Sequence, residues 1–168
     1  MEIRRLRPED DRNALSRVYE ESWKHAYRGI IPQDYLDSIP QGQWAASADK
    51  PSMNTLVMFE NGELIGTSSF CPSRFEDMEG WGEIVSVYLL PAFIGKGYGK
   101  MLFGAVLREL EVMGFRDIFL WVLEENISAR HFYEKQGFIP NGKYLDDSIG
   151  GKPVREVMYV KSQKDLSI

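Results

Sequence analysis

The chain has 168 residues, 43% of them hydrophobic and 27% charged, the composition of an ordinary globular protein and the length of one domain spanning 1–168. Cys71 is the only cysteine, which excludes an internal disulfide, and Met1-Glu2-Ile3-Arg4-Arg5 lacks the apolar core of a signal peptide. No apolar run approaches the ~18 residues of a membrane span, so the expectation is a cytoplasmic protein of a reducing compartment with no membrane partner. The net charge of -5 supplies little of the positive field that phosphate backbones need; it disfavours nucleic acid and suits a cationic or neutral partner.

Ile3 and Leu6 form a short apolar segment that Pro8 ends, and Asp10 or Asp11 then stands where a carboxylate caps a helix. Leu15, Val18, Tyr19 and Trp23 recur at i, i+3, i+4 and i+8, the single apolar stripe of an amphipathic helix. From Tyr27 to Asp49 the pattern is broken by Gly29, Pro32, Pro40 and Gly42, which predicts one or two short helices or a loop and a place for substrate contacts. Thr55 to Glu60 and Glu63 to Cys71 are β-rich runs joined by Asn61-Gly62, a two-residue hairpin signal. Glu83 to Leu90 is nearly continuous in apolar character, as in a strand buried on both faces, and Pro91 ends it. Leu102, Val106, Leu110 and Met113 mark a helix from Gly99 that Gly114 closes. A strand from Asp117 to Leu123, a helix from Asn126 to Gln136 closed by Gly137, and two final strands, the last from Val154 to Val160, complete a mixed α/β order.

The strand that ends at Leu90 leads through Gly95-Lys96-Gly97-Tyr98-Gly99 into a helix. Such a turn aims backbone NH groups without intrahelical partners at one point, and the helix dipole adds partial positive charge, so an anion such as a diphosphate is its natural occupant. The G-x-G-x-G spacing is not the G-x-G-x-x-G of dinucleotide folds, and Gly99-Lys100 precedes Met101 rather than the Ser or Thr of a Walker loop. Spacing alone leaves open a glycine turn without any ligand.

The run from Val87 to Leu102, with Ile94-Gly95-Lys96-Gly97-Tyr98-Gly99-Lys100 at its centre, resembles the acetyl-CoA-binding motif Q/R-x-x-G-x-G/A of the GNAT superfamily of N-acetyltransferases. Asn126-Ile127-Ser128-Ala129-Arg130-His131-Phe132-Tyr133 and the residues to Phe138 look like that superfamily's second signature. The resemblance implies a single-domain α/β GNAT fold: a mixed, mostly antiparallel sheet of six to seven strands, flanked by helices, with a splayed central strand pair. It implies acetyl-CoA as cosubstrate, with Val87 and Leu89 meeting the pantetheine arm, Ile94, Gly95, Lys96, Gly97, Tyr98, Gly99 and Lys100 cradling the phosphates, and Asn126 bonding the arm. One departure is visible: Ile94 stands where Gln or Arg is usual, so the backbone NH is kept and a polar side chain is lost.

Aminolysis of a thioester needs a neutral amine, yet a lysine-like amine of pKa ~10.4 is protonated at pH 7 in all but about one part in 2,500, a penalty of ~4.6 kcal/mol. A proton acceptor is therefore required, along with a donor for the departing thiolate. By resemblance Tyr133 is the acid, and Glu83, fourteen positions before Gly97, is the base, unless ordered water serves. Trp23 and Tyr27 lie where acceptor-binding helices of the superfamily run and are the expected substrate contacts. Two histidines and one cysteine give no convincing metal cluster. The expected reaction is direct transfer of acetyl to a primary amine of a small molecule or protein in a ternary complex, possible homodimer formation being common in the superfamily. A non-catalytic acyl-CoA-binding regulatory module is the alternative that Ile94 motivates.

Overall fold

The structure, a computed structural model, describes residues 1–163. The predicted apolar runs form strands β1 (Glu2–Arg5), β2 (Asn54–Glu60), β3 (Glu63–Pro72), β4 (Gly82–Leu89), β5 (Ile118–Leu123), β6 (Ile139–Ile149) and β7 (Lys152–Lys161). They join in one sheet of order β1-β2-β3-β4-β5-β7-β6, antiparallel at every step except β4–β5. Helices α1 (Arg12–Ala26), α2 (Gln33–Asp37), α3 (Tyr98–Val112) and α4 (Ile127–Lys135) flank it.

Local chemistry sets these boundaries. Asp11 caps α1 by accepting from the NH groups of Asn13 and Ala14, while Asp10 instead pairs through both oxygens with Arg4 at 2.7 Å. That contact holds the Asp10 carboxyl down at about 2, and a hydrogen bond from the Arg7 backbone NH reinforces it. Asn61 and Gly62, at φ 49° and 80°, close the β2–β3 hairpin as their identity predicts. Leu15, Val18 and Tyr19 of α1 and Leu102, Phe103, Val106 and Leu110 of α3 pack in the same core as Leu56, Ile65, Phe70 and Leu120 of the sheet. Each such fully buried side chain contributes roughly 1.5–3 kcal/mol.

Parallel pairing of β4 with β5 is confined to Gly82–Ile84 opposite Ile118–Leu120. Beyond it the two strands part, and the register shift opposite Ser69 and Phe70 leaves Val85 as an extra residue on β4. Continuous burial of β4, the expectation from its composition, therefore holds only through Ile84; Val85 to Leu89 are partly open because the gap beside them is a cavity. A second difference concerns α4. Asn126 is its cap rather than its first turn, with Oδ1 accepting from the Ala129 NH at 3.2 Å.

Candidate active site

One cavity of about 710 Å³ occupies the space where β4 and β5 separate. On one side its wall is the α3 entrance, with Ile94, Gly95, Gly97, Gly99 and Lys100, and one side of α4, with Asn126, Ser128, Ala129, Phe132, Tyr133 and Gln136. On the other are Trp23, His25 and Tyr27 at the end of α1, Trp121 and Leu123 of β5, Ile149, and Glu156 of β7. Val87, Tyr88 and Leu89 run between the two.

The α3 entrance has the backbone geometry that suits an anion. Its cap, Gly97, has φ 89° and offers no side-chain hydrogen bond, no acidic residue occupies the first turn, and Gly95 has φ 78°. An L side chain is strained at both angles, which explains these two glycines. A Cβ on either would meet nothing within 4 Å, so backbone conformation and not crowding selects them. Where Asp11 consumes the first NH groups of α1, the first turn of α3 keeps its own for a ligand. Lys96 and Tyr98, expected in the phosphate cradle, are absent from the wall: Lys96 Nζ lies 5.7 Å from the Phe93 ring centroid, and Tyr98 packs edge-on against the same ring at 5.7 Å.

Tyr133 is held by aromatic packing, with ring centroids 5.7 Å from Phe103 and 5.5 Å from Phe132. Its phenol makes no hydrogen bond within the described residues, and desolvation raises its pKa well above the usual 10. The phenol is thus a neutral donor facing the cavity. Tyr88 receives a hydrogen bond from the Trp23 indole at 3.1 Å, and burial pushes its phenol up to about 12. Desolvation also raises Tyr27, which stands edge-on to Trp23 at 4.9 Å. Ser22 donates to the Leu89 carbonyl at 2.6 Å, so that carbonyl is already engaged.

Glu83 departs from expectation. Its side chain is 1% exposed, does not line the cavity, and is locked by Arg74, whose Nη2 lies 2.6 Å from Oε1 and whose backbone NH lies 3.1 Å from Oε2. A carboxylate so enclosed has no surface to offer an amine. A carboxylate that the sequence did not single out, Glu156, does line the cavity, and desolvation raises it above its ordinary pKa. Its only signal was alternation in β7, which puts it on the face of Val154 and Met158.

The sequence profile of the Acetyltransferase (GNAT) family matches residues 13–138. The chain belongs to the GNAT acetyltransferase family. As a GNAT enzyme it is an acetyl-CoA-dependent N-acetyltransferase, and the α3 entrance is suited to the diphosphate of that cosubstrate. An uncharacterized N-acetyltransferase of Bacillus subtilis, YuaI, is 32% identical over 159 residues, covering 92% of this chain and 89% of that protein. The spermidine N(1)-acetyltransferase of Thermoplasma acidophilum is 26% identical over 166 residues, covering 95% and 98%. A crystal structure of the PaiA N-acetyltransferase of Thermoplasma acidophilum in complex with coenzyme A shares the fold at TM-score 0.73, with 24% identity and coverage of 96% and 98%. Among the described residues of this GNAT protein no helix is long and apolar enough to cross a membrane.

Proposed function

We propose that the enzyme transfers acetyl directly from acetyl-CoA to a primary amine while both substrates are bound, with Tyr133 as the acid that protonates the departing sulfur. The observation that carries this reading is the single cavity that joins the anion-ready α3 entrance to an aromatic compartment on the opposite side of the sheet. Bound acetyl-CoA supplies the thioester carbonyl that the amine attacks. Gly97, Gly99 and Lys100 hold its diphosphate through backbone NH groups, and Val87 and the NH of Leu89 pair with its arm along the unladdered edge of β4. Because the Leu89 carbonyl is engaged by Ser22, the arm meets only the NH at that residue.

No thiol or cysteine intermediate is part of this scheme; the one cysteine, Cys71, is buried, and desolvation raises its thiol to about 11. Acetylation of spermidine by the Thermoplasma relative supports a small amine as acceptor, although a flexible amine-bearing side chain of a protein has the same chemistry. The free, buried Cys71 is consistent with our assignment to the cytoplasm. Initial rates of thiol release, measured against acetyl-CoA and each of a panel of primary amines, test the proposal. Intersecting double-reciprocal lines and an acetylated amine by mass spectrometry are the expected results; parallel lines would sink direct transfer.

A further inference from the structure

Glu156 is the only carboxylate among the described residues that line the cavity, and it makes no hydrogen bond or ion pair there. It stands on β7 opposite Leu123, three residues beyond the end of the β4–β5 ladder, and so on the aromatic side of the gap. Asp147 from β6 and Arg74 from the β3–β4 connection are the charges that act on it, and its own charge raises the phenols of Tyr27 from the end of α1 and Tyr88 from β4. Arg74 is committed to Glu83, and β5 contributes only Trp121 and Leu123 to this part of the wall. His25 also lines the cavity.

We propose that Glu156 binds the ammonium group of the acceptor and takes one proton from it, so that the acceptor is a cationic alkylamine held among Trp23, Tyr27 and Trp121. This rests on the acetyl-transfer reading above. An unpaired carboxylate beside aromatic faces attracts a cation twice over, by charge and by the ring quadrupoles. Tyr27 and Tyr88 cannot substitute as bases, because burial keeps both phenols protonated at neutral pH.

The protons balance as follows. An alkylammonium and acetyl-CoA become an N-alkylacetamide, free thiol and one proton. Glu156 takes the first proton from nitrogen and passes it to solvent through the mouth of the cavity. The neutral amine then attacks the thioester carbon, the C–N bond forms and the C–S bond breaks. Tyr133 gives its phenol proton to sulfur, and the second proton lost by nitrogen restores the phenol.

The full chain and its Glu156→Gln variant test this in two arms. With acetyl-CoA, kcat/KM for n-hexylamine at pH 7 is expected to fall about 100-fold in the variant. For aniline, which is neutral at that pH, the fall is expected to be less than about threefold. The wild-type profile loses activity as pH drops through the raised pKa of Glu156, and the variant lacks that limb. With coenzyme A in place of acetyl-CoA no transfer is possible, and calorimetry is expected to give n-hexylamine about tenfold weaker binding to the variant. Equal affinity in the two proteins, including no binding by either, overturns the proposal, as does an unchanged acid limb. If wild type acetylates neither amine, direct transfer fails while the calorimetric arm still decides the ammonium site. Equal thermal protection of both proteins by coenzyme A verifies that the variant is folded.

Discussion

Tyr133 shows how packing can fix a side chain and leave its polar atom unused. Wedged against Phe103 and Phe132, with its phenol unbonded and its pKa raised, it has a position that packing fixes and an oxygen that packing does not use. Tyr133→Phe therefore preserves the ring contacts and removes only the proposed acid. Steady-state kinetics are expected to give a kcat lowered about 100-fold with KM for acetyl-CoA within about twofold, and an unchanged kcat would end the assignment. Glu156 poses the opposite case, a charge that the fold bears at a cost. Because desolvation raises its pKa, the folded protein binds that proton more tightly than the unfolded chain, whose value is near 4.5. Stability conferred by this group is present below that value and is lost as pH rises through the raised one. Glu156→Gln should thus melt on the order of 1–2 °C higher at pH 7, a gain that shrinks on acidification; a lower melting point at pH 7 contradicts the sign.

At the scale of elements, the α3 entrance and the β4–β5 gap do the positioning. Gly97→Ala places a side chain at φ 89° and costs roughly 1–2 kcal/mol, and it disturbs the NH groups of the first turn. Weaker acetyl-CoA binding with retained secondary structure is the expected outcome by titration and circular dichroism. The helices and strands that carry this machinery were legible because each carries a period: Leu102, Val106 and Leu110 for α3, the Asn61-Gly62 turn for the β2–β3 hairpin, Gly114 and Gly137 after the two later helices. The edge strand β6 had no readable bounds, since nearly all of it is exposed and no apolar face marks it. The candidate site divides the same way. Of the motif residues, Ile94, Gly95, Gly97, Gly99, Lys100, Asn126 and Tyr133 reach the cavity wall, whereas Lys96 and Tyr98 of the same turn do not. Which carboxylate faces the cavity was not legible, because a carboxylate's surroundings come from elements distant in sequence: Arg74 encloses Glu83, and the parting of β4 from β5 opens a cavity before Glu156.

For the whole molecule, the cavity is also an energetic gap. The central strands part where a continuous sheet would otherwise pair, so β4 beyond Ile84 lacks ladder partners on its β5 side and the cavity separates α4 from the end of α1. A ligand that fills it links the two halves of the sheet and binds the folded state alone, which couples occupancy to global stability. At a concentration of about 100 times Kd the gain is ~2.7 kcal/mol, which for a chain of this size raises Tm by roughly 5–10 °C. Coenzyme A and acetyl-CoA are expected to produce such a shift in a thermal melt. ATP and NAD should not, because the glycines of the α3 entrance follow neither nucleotide spacing. Gly97→Ala should lower the shift at fixed ligand, whereas Glu156→Gln should leave it intact, since one residue lies at the α3 entrance, the proposed anion end, and the other on the β7 side proposed for the amine. Loss of the shift in both variants would mean that the two ends are not separable, and would count against a cavity divided between cosubstrate and acceptor.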